Sequence, residues 1–147
     1  MSKKAINKKN IFFLFLILFG CVAKDDKVDI LESINYSTIY EVNLRQYTSS
    51  GSIKEFRSHL PRLKSMGIDI LWFMPIHPIG EVNRKGYLGS YYSVKDYFDI
   101  NPEFGTLNEF KSLVKEIHKM DMFIILDWVA NHTAWDNQLT EKHPDWY

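Results

Sequence analysis

Apolar residues in this chain recur with two different spacings, and these spacings alternate along the sequence. Residues 38–44 (TIYEVNL) alternate apolar side chains with others, which is typical of a β-strand. Residues 68–75 (IDILWFMP) and 122–126 (MFIIL) form short, nearly continuous apolar runs, which predict buried strands that are covered on both faces. The pattern therefore predicts three strands.

Two amphipathic helices are predicted between these strands. Ser52 opens an S-x-x-E capping box and Thr106 opens a second box of the T-x-x-E form, so a helix should begin at each. Pro61 should kink or restart the first helix, and Gly67 should end it. The residues predicted on the buried faces are Ile53, Phe56, Leu60, Leu63 and Met66 in the first helix, and Leu107, Phe110, Leu113 or Val114, and Ile117 in the second.

The predicted order of elements is β-α-β-α-β, which indicates an α/β fold with parallel strands and right-handed crossovers. A long segment that is rich in Gly, Tyr, Pro and His, from residue 76 to about residue 105, lies between the second strand and the second helix. No internal repeat is visible. Polar residues at the carboxyl ends of parallel strands usually line the functional edge of such a fold.

The N-terminus has a different composition. A Lys-rich start is followed by ten residues of mainly apolar character, 11–20, which is typical of a secretory signal peptide and too short for a membrane span of about 20 residues. The sequence Leu18-Phe19-Gly20-Cys21 resembles the lipobox of bacterial lipoproteins, in which the cysteine is lipidated. The chain is therefore divided into a signal peptide (1–20), a polar tether (21–35) and a folded domain (36–147).

The composition of the chain indicates which partners and which cellular location to expect. The 147 residues carry 18 basic and 18 acidic side chains, and this zero net charge argues against nucleic acid as a partner. The single cysteine, Cys21, excludes an intramolecular disulfide and is the expected lipid anchor to a membrane. Residues 24–26 (KDD) resemble the acidic tag of some surface lipoproteins, so we expect the cell envelope, at the outer-membrane surface.

A polar hexad, D-x-x-x-N-H, follows the third predicted strand. Asp127 is the first polar residue after that strand, and a carboxylate there needs a fixed partner, most plausibly an arginine elsewhere or backbone N–H groups. His132 could donate to a sugar or phosphate oxygen, although a structural histidine is the alternative explanation. Asn131 could bind a hard cation through its amide oxygen or hold the loop in place.

Four segments in the correct order resemble the α-amylase family of glycoside hydrolases (family 13). DWVANH, which includes Asp127 to His132, resembles the first signature region of that family, and IDILWFMPIHPIG resembles its second strand and the loop that follows. Residues 89–106 (GSYYSVKDYFDINPEFGT) resemble the segment before the second barrel helix. HPDWY, residues 143–147, resembles what often follows the hexad. The resemblance covers residues 36–147.

The resemblance implies a (β/α)₈ barrel, of which this chain has about three β/α units, and a retaining reaction on α-glucosidic bonds. It implies that His132 contacts the sugar at the cleavage subsite and that Tyr92 stacks on that sugar. Asp127 would hold an arginine near the nucleophile. Asn131 would be structural and, as in many members, a ligand of calcium, which is the only cofactor that the resemblance implies.

Retaining hydrolysis needs two carboxyl groups roughly 5 Å apart, and in this family they follow later strands. No catalytic residue is therefore expected in this chain, and the assignment as an enzyme rests on the resemblance. We expect an N-terminal fragment of a glycosidase that acts on starch-type glucans or maltooligosaccharides. By itself such a fragment should be inactive, because the two carboxyl groups are not in it. It should also be marginally stable, because a strand edge is left open. The alternative is a non-catalytic glucan-binding surface lipoprotein.

Overall fold

The computed structural model of the protein describes residues 36–147. The predicted signal peptide (1–20) and tether (21–35), with the predicted lipidation site Cys21, lie outside the described residues. Among the helices of the described part, none is long and apolar enough to cross a membrane.

The centre of the fold is a parallel sheet of three strands in the order β1-β2-β3, as the sequence pattern predicted. In this register Glu41 lies beside Trp72, and Trp72 lies beside Ile125. Because the strands run in one direction, their carboxyl ends lie along one edge of the sheet. The strands span Ile39–Val42 (β1), Ile70–Phe73 (β2) and Phe123–Leu126 (β3).

The helices largely follow the predicted breaks. The first predicted helix is divided in two, and Pro61 lies in the first turn of the second piece, where its missing N–H costs nothing. Gly67 follows the end of that piece with a φ of 80°, a conformation that suits glycine. The α-helices span Leu44–Tyr47 (α1), Ile53–Arg57 (α2), Leu60–Ser65 (α3), Leu107–Lys119 (α4) and Gln138–Lys142 (α5), and a 3₁₀ turn covers Pro144–Trp146.

The two capping motifs form in different ways. At the start of α4, the Thr106 hydroxyl accepts from the Glu109 N–H (3.2 Å) and the Glu109 carboxylate accepts from the Thr106 N–H (2.8 Å), which is the full capping box. At the start of α2, the Ser52 hydroxyl accepts from the Glu55 N–H (3.1 Å), but the Glu55 carboxylate accepts from the Ser50 N–H (3.0 Å) instead. The second interaction secures the preceding turn.

The core lies between one face of the sheet and the helices. Phe73 of β2 is fully buried, and its ring packs edge-to-face against Phe56 of α2 (5.3 Å) and Phe110 of α4 (6.0 Å). Two residues predicted on the buried faces are exposed: Met66 (55%), because α3 ends just before it, and Leu107 (36%), the first residue of α4. The predicted faces are otherwise buried or packed against the core.

The prediction that the third strand is buried was wrong for the described residues. Phe123, Ile125 and Leu126 of β3 are each about 40% exposed. β3 pairs with β2 along one edge, and within residues 36–147 no strand pairs with its other edge. An apolar strand in this position presents unpaired backbone groups and apolar side chains to solvent.

Candidate functional site

Asp127 lies at the carboxyl edge of the sheet, directly after β3. Its N–H donates to the Phe73 carbonyl (2.8 Å), which continues the pairing with β2 by one residue. Its carboxylate accepts a hydrogen bond from the Tyr92 hydroxyl (2.9 Å). The fixed partner of Asp127 is therefore a tyrosine hydroxyl, and among the described arginines none forms an ion pair with it. The expected arginine or backbone partner is not what this part of the chain provides.

The Tyr92–Asp127 contact also sets the protonation of the phenol. The hydrogen bond to Asp127 is the main cause that raises the pKa of Tyr92, and burial and the charge of Glu41 add to it. A carboxylate acceptor stabilises the protonated phenol, so Tyr92 remains a donor throughout the neutral range. The half-buried ring of Tyr92 is thereby held beside the end of β3.

Asn131 and His132 form a second pair on the loop that follows β3. Nδ2 of Asn131 lies 3.1 Å from Nδ1 of His132. Because an amide nitrogen only donates, Nδ1 accepts and the neutral ring carries its proton on Nε2. Both side chains are exposed. His132 can therefore present an N–H donor to a ligand oxygen. In the described part of the chain no hydrogen bond joins this pair to Tyr92 or Asp127.

Tyr97 supports the backbone of this loop. Its hydroxyl lies within hydrogen-bond distance of two carbonyl oxygens, those of His132 (3.1 Å) and Val129 (3.3 Å). Its ring packs edge-to-face against His77 (5.6 Å) and Trp128 (6.3 Å). Burial, with a contribution from Tyr147, raises the pKa of Tyr97. Tyr97 was not singled out in the sequence analysis.

A buried amide fastens the same loop to the segment that carries Tyr92. The Val94 carbonyl accepts from the Ala134 N–H (2.9 Å) and from the side-chain nitrogen of Asn137 (3.0 Å). The other end of that amide accepts from the Leu139 N–H (2.8 Å), which caps α5. Asn137 is 1% exposed. Sequence reasoning missed Asn137, because a capping asparagine looks the same whether it is buried or exposed.

Charged side chains also meet where the segment that carries Tyr92 approaches the loop after β3. Lys95 lies 2.8 Å from a Glu81 carboxylate oxygen and 3.7 Å from Asp136, and the Glu81 N–H donates to Asp136 (2.9 Å). Burial alone would raise the pKa of Asp136, but backbone hydrogen bonds and Lys95 outweigh it, so the pKa is lowered. Gly80 is required here, because a Cβ would lie 2.3 Å from the Ala134 methyl group.

His132 also lines an aromatic cavity of about 700 Å³. His143 and Trp146 stack in its wall, with ring centres 4.0 Å apart and planes 8° from parallel. Aromatic faces of this kind suit the apolar faces of pyranose rings. Other residues around the cavity are Phe98, Trp128 and Tyr147, all of them exposed.

Calcium binding at Asn131, which the resemblance implies, stays a prediction. Calcium takes six to eight oxygen ligands at short range. In residues 36–147 no group of three or more His, Cys, Asp or Glu side chains is arranged to hold a metal ion. The amide of Asn131 is exposed, and its nitrogen is directed to His132. One amide oxygen is too few to bind the ion.

Comparison with known proteins places this geometry in context. Residues 24–146 match the family model described as the α-amylase catalytic domain. The chain is 36% identical over 134 residues to a cyclomaltodextrin glucanotransferase of Klebsiella oxytoca, covering 86% of this chain and 19% of that protein. It is 35% identical over 113 residues to α-amylase 3 of Dictyoglomus thermophilum, covering 74% and 20%.

Solved structures agree with the sequence matches. An α-amylase from Lactobacillus plantarum superposes with a TM-score of 0.74 at 50% identity, over 76% of this chain and 27% of that one. A maltogenic α-amylase from Thermotoga neapolitana superposes with a TM-score of 0.71 at 44% identity, over 74% and 26%. The chain spans about a fifth of the length of the curated relatives that it matches. Its three parallel strands correspond to an incomplete barrel.

Proposed function

The chain belongs to the α-amylase family, matched through its catalytic domain, and from this premise we propose that it is the N-terminal part of a glycosidase that acts on α-glucosidic bonds of starch-type glucans. The observation that carries the proposal is the Tyr92–Asp127 hydrogen bond at the carboxyl edge of the parallel sheet. In barrels of this class, that edge is where the active site is built. The substrate would be a glucan or a maltooligosaccharide.

Tyr92 and His132 are the proposed sugar-binding residues. The ring of Tyr92 offers an aromatic face to the apolar side of a glucose unit. His132 offers the N–H on Nε2 to a sugar hydroxyl, because Asn131 occupies Nδ1. This hydrogen bond would hold the sugar in the orientation that cleavage needs, and correct positioning lowers the barrier.

Asp127 and Asn131 are proposed to shape the site without contacting the reacting bond. Asp127 already holds the Tyr92 hydroxyl, and its second oxygen remains for the arginine near the nucleophile that the family resemblance implies. Asn131 fixes the ring of His132. The nucleophile and the acid/base of a retaining reaction would come from residues other than those described.

The test uses the complete glycosidase of which this chain is proposed to be the N-terminal part, incubated with soluble starch and with maltooligosaccharides. We expect hydrolysis in which the first product has the α-anomeric configuration, as observed by proton NMR, because a retaining reaction preserves configuration. His132→Ala should lower kcat/KM by about 10²-fold, the usual cost of losing one donor to the transition state. His118→Ala, an exposed histidine near the end of α4, is the matched control.

Each other outcome has a distinct meaning. Equal losses in His132→Ala and His118→Ala would refute the role of His132. Retardation of the wild-type protein in a glucan-containing gel without turnover would favour the non-catalytic glucan-binding lipoprotein. Neither turnover nor retardation would refute a glucan as the ligand. Oligosaccharides longer than the substrate would indicate transfer to a sugar in place of hydrolysis.

We also propose a lipid anchor at Cys21, at the surface of the cell envelope, which the lipobox-like sequence supports. A lipid chain on that cysteine would hold the enzyme near the membrane. Expression in a Gram-negative host with an alkyne-labelled fatty acid tests this. The wild-type protein should incorporate the label and Cys21→Ser should not. Equal labelling of both would refute the assignment.

Calcium binding at Asn131 is proposed only together with ligands from outside the described residues. Thermal unfolding of the intact protein with calcium or with a chelator tests it. A bound ion should raise the midpoint in the wild-type protein, and less in Asn131→Ala, because ligands that bind only the native state stabilise it. No effect of calcium on the wild-type protein would refute the site.

A further inference from the structure

We propose that Asn137 is a positioning residue that couples the two sugar-binding residues, Tyr92 and His132. This inference rests on the proposed function and extends it to a residue outside the hexad. The side-chain amide of Asn137 bonds to the backbone two residues after Tyr92, and Asn137 itself lies five residues after His132. The amide would thereby fix the distance between two segments that meet the same sugar.

The segment that carries Tyr92 is held on both sides near Val94. On one side it forms an antiparallel bridge with Ile79, and the Gly80 N–H donates to the Ser93 carbonyl (2.8 Å). On the other side the Val94 carbonyl accepts from the loop after β3, through the Ala134 N–H and the Asn137 amide. The Val94 carbonyl oxygen thus receives two of the bonds between these segments. The Tyr97 hydroxyl and Lys95 form others, with the His132 carbonyl and with Asp136.

The loop that carries His132 is fastened at both of its ends. Its beginning is fixed at Asp127, through the bond to Tyr92 and the pairing with β2. Its end is fixed by the bonds of Ala134 and Asn137 to Val94. Between the two ends, the Tyr97 hydroxyl lies 3.1 Å from the His132 carbonyl oxygen. Release of the end would leave that contact to hold His132, and the side chain could move relative to Tyr92 although Asp127 stays in place.

The chemistry of an amide suits this position. Nδ2 donates to the Val94 carbonyl while Oδ1 accepts from the Leu139 N–H, so each end of the group has a partner. A carboxylate in the same place would still cap α5, but it would direct a negative oxygen at the Val94 carbonyl. A protonated carboxyl could donate there again. In the variant Asn137→Asp, a lower pH should therefore restore the hydrogen-bond donor that the substitution removes.

The experiment compares Asn137→Asp with Asn137→Ser in the intact protein. Serine can cap α5 but is too short to reach Val94, and it does not titrate. Burial at a site that is 1% exposed should raise the pKa of the introduced carboxyl. The charged groups beside it are Asp136, which adds to the rise, Lys95, which opposes it, and Glu81, which is bound to both.

At pH 8 we expect both variants to lose kcat by about tenfold or more, because a small misplacement of a substrate-positioning group is costly. Between pH 8 and pH 5, the activity of Asn137→Asp relative to wild type should recover several-fold, while that of Asn137→Ser stays low. Gln138→Glu, which adds the same charge one residue along, should follow the wild type at every pH. If Asn137 had a purely structural role, the activities of Asn137→Asp and Asn137→Ser relative to the wild type would both be independent of pH.

Hydrogen–deuterium exchange provides a readout that does not need turnover. At pH 8, amides in residues 127–137 should exchange faster in both Asn137 variants than in the wild type or Gln138→Glu. If the wild type has no activity on glucans, the proposed function fails while exchange still decides the coupling. Wild-type kcat and exchange in Asn137→Ser would overturn the inference, even if Asn137→Asp does not fold.

Discussion

Removal of the Tyr92 hydroxyl tests the central contact of the site. The bond to Asp127 is 2.9 Å long and its acceptor is charged. Hydrogen bonds to charged groups contribute about 1.5–3 kcal/mol when buried, but both side chains are half-exposed, so solvent screening reduces the expected value to about 1 kcal/mol. Tyr92→Phe should therefore lower the free energy of unfolding by about that amount.

The assay is a double-mutant cycle with Asp127→Asn, measured by urea unfolding of the intact protein. The coupling free energy between the two substitutions should be about 1 kcal/mol, because residues in direct contact do not behave additively. Tyr87→Phe removes a hydroxyl from a ring that is 93% exposed and should leave unfolding unchanged. Additive effects within about 0.3 kcal/mol would refute the reasoning.

The same contact has a pH signature. The pKa of Tyr92 is raised in the folded protein by Asp127, so the protonated phenol is the form that the fold stabilises. The stabilisation should be complete below the unfolded pKa, about 10, and should disappear as the pH rises through the higher folded value. In Asp127→Asn, ultraviolet titration should place the pKa of Tyr92 lower than in the wild type. An unchanged titration would contradict the assignment.

Three further substitutions test the packing around the site. Phe73→Ala should cost about 3–5 kcal/mol in urea unfolding, because it leaves a cavity between the sheet and two helices, whereas Phe98→Ala, at a ring that is 76% exposed, should cost far less. Gly80→Ala should cost about 1–3 kcal/mol in the same assay, because its methyl group would overlap that of Ala134. Asp136→Asn should reduce the loss of thermal stability that the wild type shows on acidification below about pH 4, because a lowered pKa stabilises the fold only while the carboxyl is ionised.

The sequence determined the local elements of this protein, because their signals lie within a few residues of each other. The spacing of apolar residues predicts the three strands. The capping motifs predict the starts of α2 and α4, and the geometry of proline predicts the new helix start at Pro61. The parallel order follows from the alternation of strands and helices. The hexad drew attention to Asp127 because a carboxylate that ends an apolar run needs a specific partner.

Which side chains meet depends on the tertiary structure. Tyr92 reaches Asp127 across 35 residues, and Asn137 reaches Val94 across 43. A pattern within one segment cannot specify such contacts, because they depend on how two loops return to the same edge of the sheet. The exposure of β3 was missed for a related reason: an apolar strand has the same sequence whether or not a neighbour covers it. Interactions between neighbouring residues in the sequence determine the strands and helices, whereas packing between distant segments determines which side chains are in contact.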